Sequence, residues 1–212
     1  MGINIHIMNM LYHGMDTLGM KPKGLNLCEL GNLYVADDMI DFLKEKKVPK
    51  YKTAKDVFTY LGFNDTSIDL NEKDGAIGID LSKPIRDEKL IGKFDILING
   101  GTTEHVENQY MCWKNVHKLC KENGLVISAV PLQGNMKNHS PWRYSKRFFK
   151  NLIKRNNYSL IGMSIIGLKQ EKGYDCIYVS FEKTDSKFIN RNTFVNIWNK
   201  TINKKVDIKE WL

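Results

Sequence analysis

Residues 94–108 read FDILINGGTTEHVEN, and the reading of this stretch decides the fold. An apolar run with one acid near its start gives way, after Asn99, to Gly100-Gly101-Thr102-Thr103 and then to Glu104-His105-Val106. A short apolar run bounded by small turn residues reads as a buried strand. A helix is expected to follow from about Asn108 to Lys121, ended by Gly124.

The same alternation continues in both directions. Toward the carboxyl end, LVISAV (125–130) reads as a strand closed by Pro131, and residues 145–156 as a helix. YSLIGMSII (158–166) and DCIYVSFE (175–182) read as two strands joined through a turn around Lys172-Gly173. Toward the amino end, TSIDL (66–70) is a strand, and a turn at Asp74-Gly75 leads into AIGIDL (76–81). Upstream, residues 36–46 read as a helix stopped by Pro49. A second helix opens near Thr53, where Thr53 and Asp56 have capping-box spacing. Residues 24–29 form a short strand, and residues 4–18 an amphipathic helix.

Strands alternating with helices predict an α/β fold with a mostly parallel, seven-stranded sheet, an antiparallel last strand and helices on both faces. One domain is expected over 1–212: a helical segment to residue 23, a core over 24–183 and a polar helical tail over 184–212.

At 212 residues, 42% hydrophobic and 26% charged, the chain is long enough to bury a sizeable core. No apolar run approaches the roughly 18–20 residues of a membrane span, and the first residues lack the layout of a secretory signal. A cytoplasmic protein is therefore expected. Cys28, Cys112, Cys120 and Cys176 are scattered without a Cys-x-x-Cys pair, so neither a metal site nor a disulfide is expected. The net charge of +8 comes from one segment. Between Glu122 and Glu171 there is no acid, while Lys137, Arg143, Lys146, Arg147, Lys150, Lys154, Arg155 and Lys169 are basic. Such asymmetry speaks to partners rather than to fold.

In open α/β sheets ligands bind beyond the carboxyl ends of the strands, which directs attention to Glu29, Asp69, Asp80 and Asn99. A nucleoside needs an acceptor for its ribose hydroxyls and another for an adenine amino group, roles that suit Asp69 and Asp80. Gly31 permits a close backbone approach. The single glycine argues against a nicotinamide dinucleotide, whose pyrophosphate needs Gly-x-Gly-x-x-Gly at a helix start. Acids at strand ends also serve as ordinary loop residues or helix caps.

Taken in order, LNLCELGN (25–32), TSIDLN (66–71), GAIGIDLSKPI (75–85) and FDILINGGTTEHVEN resemble the first four motifs of the class I S-adenosylmethionine-dependent methyltransferases. DCIYVSFEK (175–183) is compatible with that family's antiparallel final strand. The resemblance implies S-adenosyl-L-methionine as cofactor. Glu29 and Gly31 would line its methionine part, Asp69 with Leu70 the ribose, Asp80 with Leu81 the adenine, and Asn99 with Gly100 the region near the methyl donor. Asn32 and Leu33 would then have to turn their side chains away from the pocket. The 40 residues from Glu29 to Asp69 exceed the usual spacing of about 20, and the stretch 36–61 reads as an insertion on the crossover.

Methyl transfer needs alignment of donor and acceptor, with a base where the nucleophile is a hydroxyl. His139, in the turn-rich KNHSPWRYS (137–145), and His105 are the candidate catalytic bases. A surface histidine and a helix-capping role are the structural alternatives for these two. Arg143, Tyr144 and Trp142 are candidate substrate-binding residues. NPPY-type sequences are absent, which favours an oxygen or carbon acceptor. A small, saccharide or phosphorylated acceptor is expected. RNA, or a partner subunit that binds cofactor without catalysis, is the alternative. For RNA, exposed aromatics should lie among the basic residues.

Overall fold

The computed structural model describes residues 2–167, 173–202, 204 and 206–211. Lys169 and Lys172 lie outside the described residues. The chain runs β1 (Gly2–Ile3), α1 (Ile5–Thr17), β2 (Asn26–Leu30), β3 (Tyr34–Val35), α2 (Ile40–Glu45), α3 (Ala54–Tyr60) and β4 (Asn64–Ile68). It continues through β5 (Phe94–Asn99), α4 (Gln109–Leu119), β6 (Cys120–Pro131), α5 (Lys146–Arg155), β7 (Ser159–Gly167), β8 (Asp175–Lys183) and α6 (Arg191–Thr201).

Six strands form one sheet in the order β4-β2-β5-β6-β8-β7, and β1 pairs with β3 separately. The first four are parallel, while β8 runs antiparallel to both β6 and β7. The last strand is thus the antiparallel one, as expected from the sequence. A seventh strand over 76–81 does not form among the described residues, and its only pairing is a bridge from Ile77 to Ile68. Two causes are local. Glu72, Asp74 and Gly75 all adopt positive φ, which breaks the approach. Beyond the bridge, Asp80 accepts hydrogen bonds from the Ser82 amide and hydroxyl and turns the chain away.

The expected end of α4 also shifts. The helix stops at Leu119, and Gly124 lies inside β6. Asn123 at φ 61° and the jump in register from Phe94–Cys120 to Ile96–Leu125 mark a bulge there.

Helix starts follow their caps. Asn4, Thr53, Asn108, Ser145 and Asn190 each accept from an amide three residues on. One face of the sheet packs on α1, α2 and α3 through Ile7, Leu11, Leu43, Val57 and Phe58, all buried with Leu27, Ile96 and Ile98. The other face packs on α4, α5 and α6 through Trp113, Phe148, Phe149, Phe194 and Trp198. Trp211, in the last 3-10 turn, belongs to this second cluster, so the tail closes over that face.

Candidate active site

The carboxyl ends of β2, β4 and β5 meet at one crevice, as parallel pairing requires. A cavity of about 260 Å³ opens there, lined in part by Asp69, Leu70, Asp80, Leu81, Thr102 and His105. Four of the expected cofactor residues and one expected base therefore share a wall. Asp69 already accepts from the Asn32 amide at 2.7 Å and the Asn71 amide at 3.0 Å, which fixes its carboxylate at the rim. Asp80 is held below the usual carboxylate range by its hydrogen bonds from Ser82, aided by Lys83. It is anionic at neutral pH. Ser82 and Thr102 also line the cavity, although neither residue type at those positions carried a signal in the sequence.

The expected methionine half is arranged differently. Gly31, at φ 88°, lies so close to the Thr102 hydroxyl that a Cβ there would collide with it. A Cβ on Gly100 would lie 2.8 Å from Leu33 Cδ1. Leu33 is buried and fills the space beside these two glycines. Asn32 turns outward, its side chain donating to Asp74 at 2.7 Å. Glu29 does not line the cavity. Its carboxyl is buried beside that of Asp65, and Leu33 packs in the same layer with α1 to α3. Burial, and then the neighbouring Asp65, push the Glu29 carboxyl far above its ordinary range, so this acid pair keeps a proton at neutral pH.

Asn99 is enclosed and acts within the turn. Its amide nitrogen donates to Thr103 Oγ1 and Ser128 Oγ, both at 2.8 Å, and its oxygen accepts from the amides of Thr102 and Thr103. Gln109 extends this network, donating to the carbonyls of Thr103 and Val106. Tyr144 joins it, with its hydroxyl 2.5 Å from Gln109 Oε1 and 3.0 Å from Thr103 Oγ1. Tyr144 is fully enclosed, whereas Trp142, though buried, lines with Arg143, Lys137 and Lys204 a separate cavity of about 210 Å³. Trp142 packs edge-on against Trp198 and Trp211. Arg143 donates to the carbonyls of Asn135, Met136 and Lys137 and so clamps the loop that carries His139. Arg143 and Tyr144 thus brace this loop, and none of the three expected substrate residues lines a cavity with His105 or His139.

This scaffold brings Glu104, His105 and His139 together. The Glu104 side chain is fully buried, and neither carboxylate oxygen has a hydrogen-bond partner. His139 Nε2 lies 3.7 Å and His105 Nε2 3.9 Å from Glu104 Oε1. The imidazoles meet edge to face at 5.0 Å between centroids. Burial lowers the pKa of His105, with Glu104 opposing, so the ring is neutral at pH 7. His105 lines the first cavity, whereas His139 lines a second, of about 470 Å³, with Lys137, Asn138 and Tyr174.

The strand order with its antiparallel last strand, flanked by helices on both faces, is the Rossmann-like fold of the class I S-adenosylmethionine-dependent methyltransferases. Solved structures of that fold match the chain. The Burkholderia thailandensis 1,6-didemethyltoxoflavin-N1-methyltransferase, with its substrate and S-adenosylhomocysteine bound, matches at a TM-score of 0.58 and 12% identity, covering 86% of this chain and 80% of that one. A methyltransferase candidate from Bacillus halodurans C-125 matches at 0.54 and 9% identity, covering 82% and 99%. The trans-methyltransferase CalH in complex with SAH matches at 0.51 and 14% identity, covering 81% and 54%. No described protein family matches the sequence, and neither does any curated protein.

Proposed function

We propose that the protein is an S-adenosylmethionine-dependent methyltransferase acting on a small, saccharide or phosphorylated acceptor. The observation that carries this reading is the His105–His139 pair, each ring of which lines a different cavity. The cavity at His105 presents two carboxylates to a nucleoside, and the second cavity opens at His139. Bound S-adenosylmethionine supplies an electrophilic methyl on a sulfonium. The chain's own residues supply the rest. Asp69 and Asp80 accept from the ribose hydroxyls and the adenine amino group. The 260 Å³ cavity is just below the roughly 300–1,000 Å³ of small-molecule sites, which suits the nucleoside half.

Neutral His105 and the loop residue His139 are placed to take a proton from an acceptor hydroxyl, with buried Glu104 balancing the imidazolium that results. This favours oxygen as the nucleophile. The absence of an NPPY-type turn is weaker support, since the toxoflavin-pathway enzyme above is an N1-methyltransferase. RNA loses its main support because Trp142 and Tyr144 are buried, and the basic face of α5 shares no lining residue with either cavity.

A second reading has its own observation. Leu33 and Thr102 fill the space beside Gly31 and Gly100, which fits a partner subunit that holds the nucleoside half without turnover. Calorimetry with S-adenosylmethionine separates the possibilities. Binding that weakens at least about tenfold (about 1.4 kcal/mol) in Asp69→Asn and Asp80→Ala is expected. Methyl transfer from radiolabelled cofactor across sugars, phosphorylated small molecules and tRNA then distinguishes an enzyme from a binding subunit. No binding to the wild-type chain sinks both readings.

A further inference from the structure

We propose that Glu104, His105 and His139 form a binding site for one divalent first-row transition cation of the Zn²⁺ or Mn²⁺ kind. Three observations converge on it. The ligand atoms of these side chains all lie within 4.8 Å of one another. Ligands at about 2.0–2.2 Å from a cation in tetrahedral or cis-octahedral positions lie about 3.0–3.6 Å apart, so a small inward movement closes the set. The His139 loop, clamped by Arg143 on the carbonyls of residues 135–137, presents its imidazole to Glu104 at 3.7 Å without any rearrangement of the sheet.

The strongest observation is Glu104 itself. A carboxylate in a fully buried position accepts no hydrogen bond on either oxygen. Leaving a buried carboxyl group without a partner is costly, and a cation is a compensation that the two neighbouring imidazoles are suited to share. The surrounding network of Asn99, Thr103, Gln109 and Tyr144 is internally satisfied and turns none of its donors to Glu104. Two imidazoles and one carboxylate select borderline cations. Mg²⁺ and Ca²⁺ prefer oxygen ligands alone.

Three protein ligands leave coordination positions open toward the His139 cavity, where a hydroxyl or phosphate oxygen of the acceptor completes the shell. With the cation bound, both imidazoles are ligands and neither takes the acceptor's proton. The cation instead lowers the pKa of the bound hydroxyl, whose proton leaves to water, and the resulting oxyanion is the nucleophile. This role rests on the methyltransferase reading above, whereas occupancy of the site does not.

The test is calorimetry of the untagged, metal-stripped full chain with ZnCl₂ and MnCl₂, with MgCl₂ as comparison and with no methyl donor present. One Zn²⁺ per chain is expected, weakened at least tenfold in His139→Ala and in Glu104→Gln, with Mg²⁺ much weaker. Co²⁺ substitution should give a visible absorption band that His139→Ala removes. Because Glu104 is buried and its variant can fail to fold, His139→Ala and His105→Ala, both at partly exposed side chains, decide the matter. Absence of stoichiometric binding, or binding unchanged in both histidine variants, overturns the proposal. Zn²⁺ binding without S-adenosylmethionine binding leaves the cation site standing and sinks the methyltransferase reading. The converse result does the reverse.

Discussion

Leu33 is buried, and its side chain packs into the space beside Gly31 and Gly100. The nearest test is Gly100→Ala, whose new methyl meets Leu33 Cδ1 at 2.8 Å. Overpacking of this kind costs about 1–3 kcal/mol. In the double variant with Leu33→Ala, most of the penalty of the second methyl should vanish, because the two positions share one space. Urea melts of the four proteins check this, and additive effects would show that the contact is not what resists the methyl. That Asp69 and Asp80 share one cavity wall is legible in sequence, because each acid closes an apolar run directed at the same crevice. The direction of Leu33 is not, because it depends on which of two faces a non-helical segment turns to the core. The burial of Glu29 is not legible for a related reason. Its residue type suggested a charged ligand group, but burial next to Asp65 makes it a proton-sharing partner.

Among the elements, the capping-box spacing at Thr53 and Asp56 marks the start of α3, where the Thr53 side chain accepts from the Asp56 amide. The Ser145 hydroxyl accepts from the Phe148 amide at 3.0 Å and donates to the Thr201 carbonyl at 2.8 Å. It therefore starts α5 and ties it to the end of α6. Ser145→Ala is expected to cost about 1–2 kcal/mol, at the upper part of the range for caps, and a thermal or denaturant melt measures it. The elements that sequence misread lie where positive φ at non-glycine residues decides the path. Asn123 bulges β6, and Glu72 with Asp74 diverts the segment expected as a seventh strand. Asn and Asp favour left-handed backbone and the turn at Asp74-Gly75 is legible, but nothing local shows that Asn123 bulges a strand or that Glu72 also turns left-handed. Trp142 and Tyr144 were misplaced because aromatics beside basic residues look like a recognition surface. The tail supplies Trp198 and Trp211 to cover Trp142, a long-range contact that no local pattern shows.

At the scale of the molecule, stability should depend on pH through His117. It is buried between Tyr158, at 2.6 Å from Nδ1, and the Ser186 carbonyl. Burial first, and then Lys183, lower its pKa to about 4. The unfolded chain therefore takes up this proton before the folded one does. The contribution is complete above the ordinary histidine range near pH 6.5 and is lost as pH falls toward about 4. Denaturant midpoints measured from pH 7 to pH 4.5 should fall in the wild type and fall less steeply in His117→Gln. Equal slopes would assign the acid sensitivity elsewhere.

The pairing of Gly2–Ile3 with Tyr34–Val35 has a mechanical consequence. The Ile3 carbonyl accepts from the Ala36 amide at 2.9 Å, and Leu33 precedes that short ladder by a single residue. Gly2 and Ile3 are therefore a latch on the segment beside Gly31 and Gly100, which is also bonded to Lys52 and Ala54 on its other side, and Leu33 cannot swing from Gly100 without straining these contacts. Any opening of this segment is coupled to release of the two-residue ladder, a unit small enough to open far below the global unfolding free energy. In hydrogen-exchange measurements the Ala36 amide should exchange much faster than the Gly31 amide, which is bonded to the Ile68 carbonyl at the edge of the main sheet. Equal protection of the two would mean that the latch opens only when the sheet does.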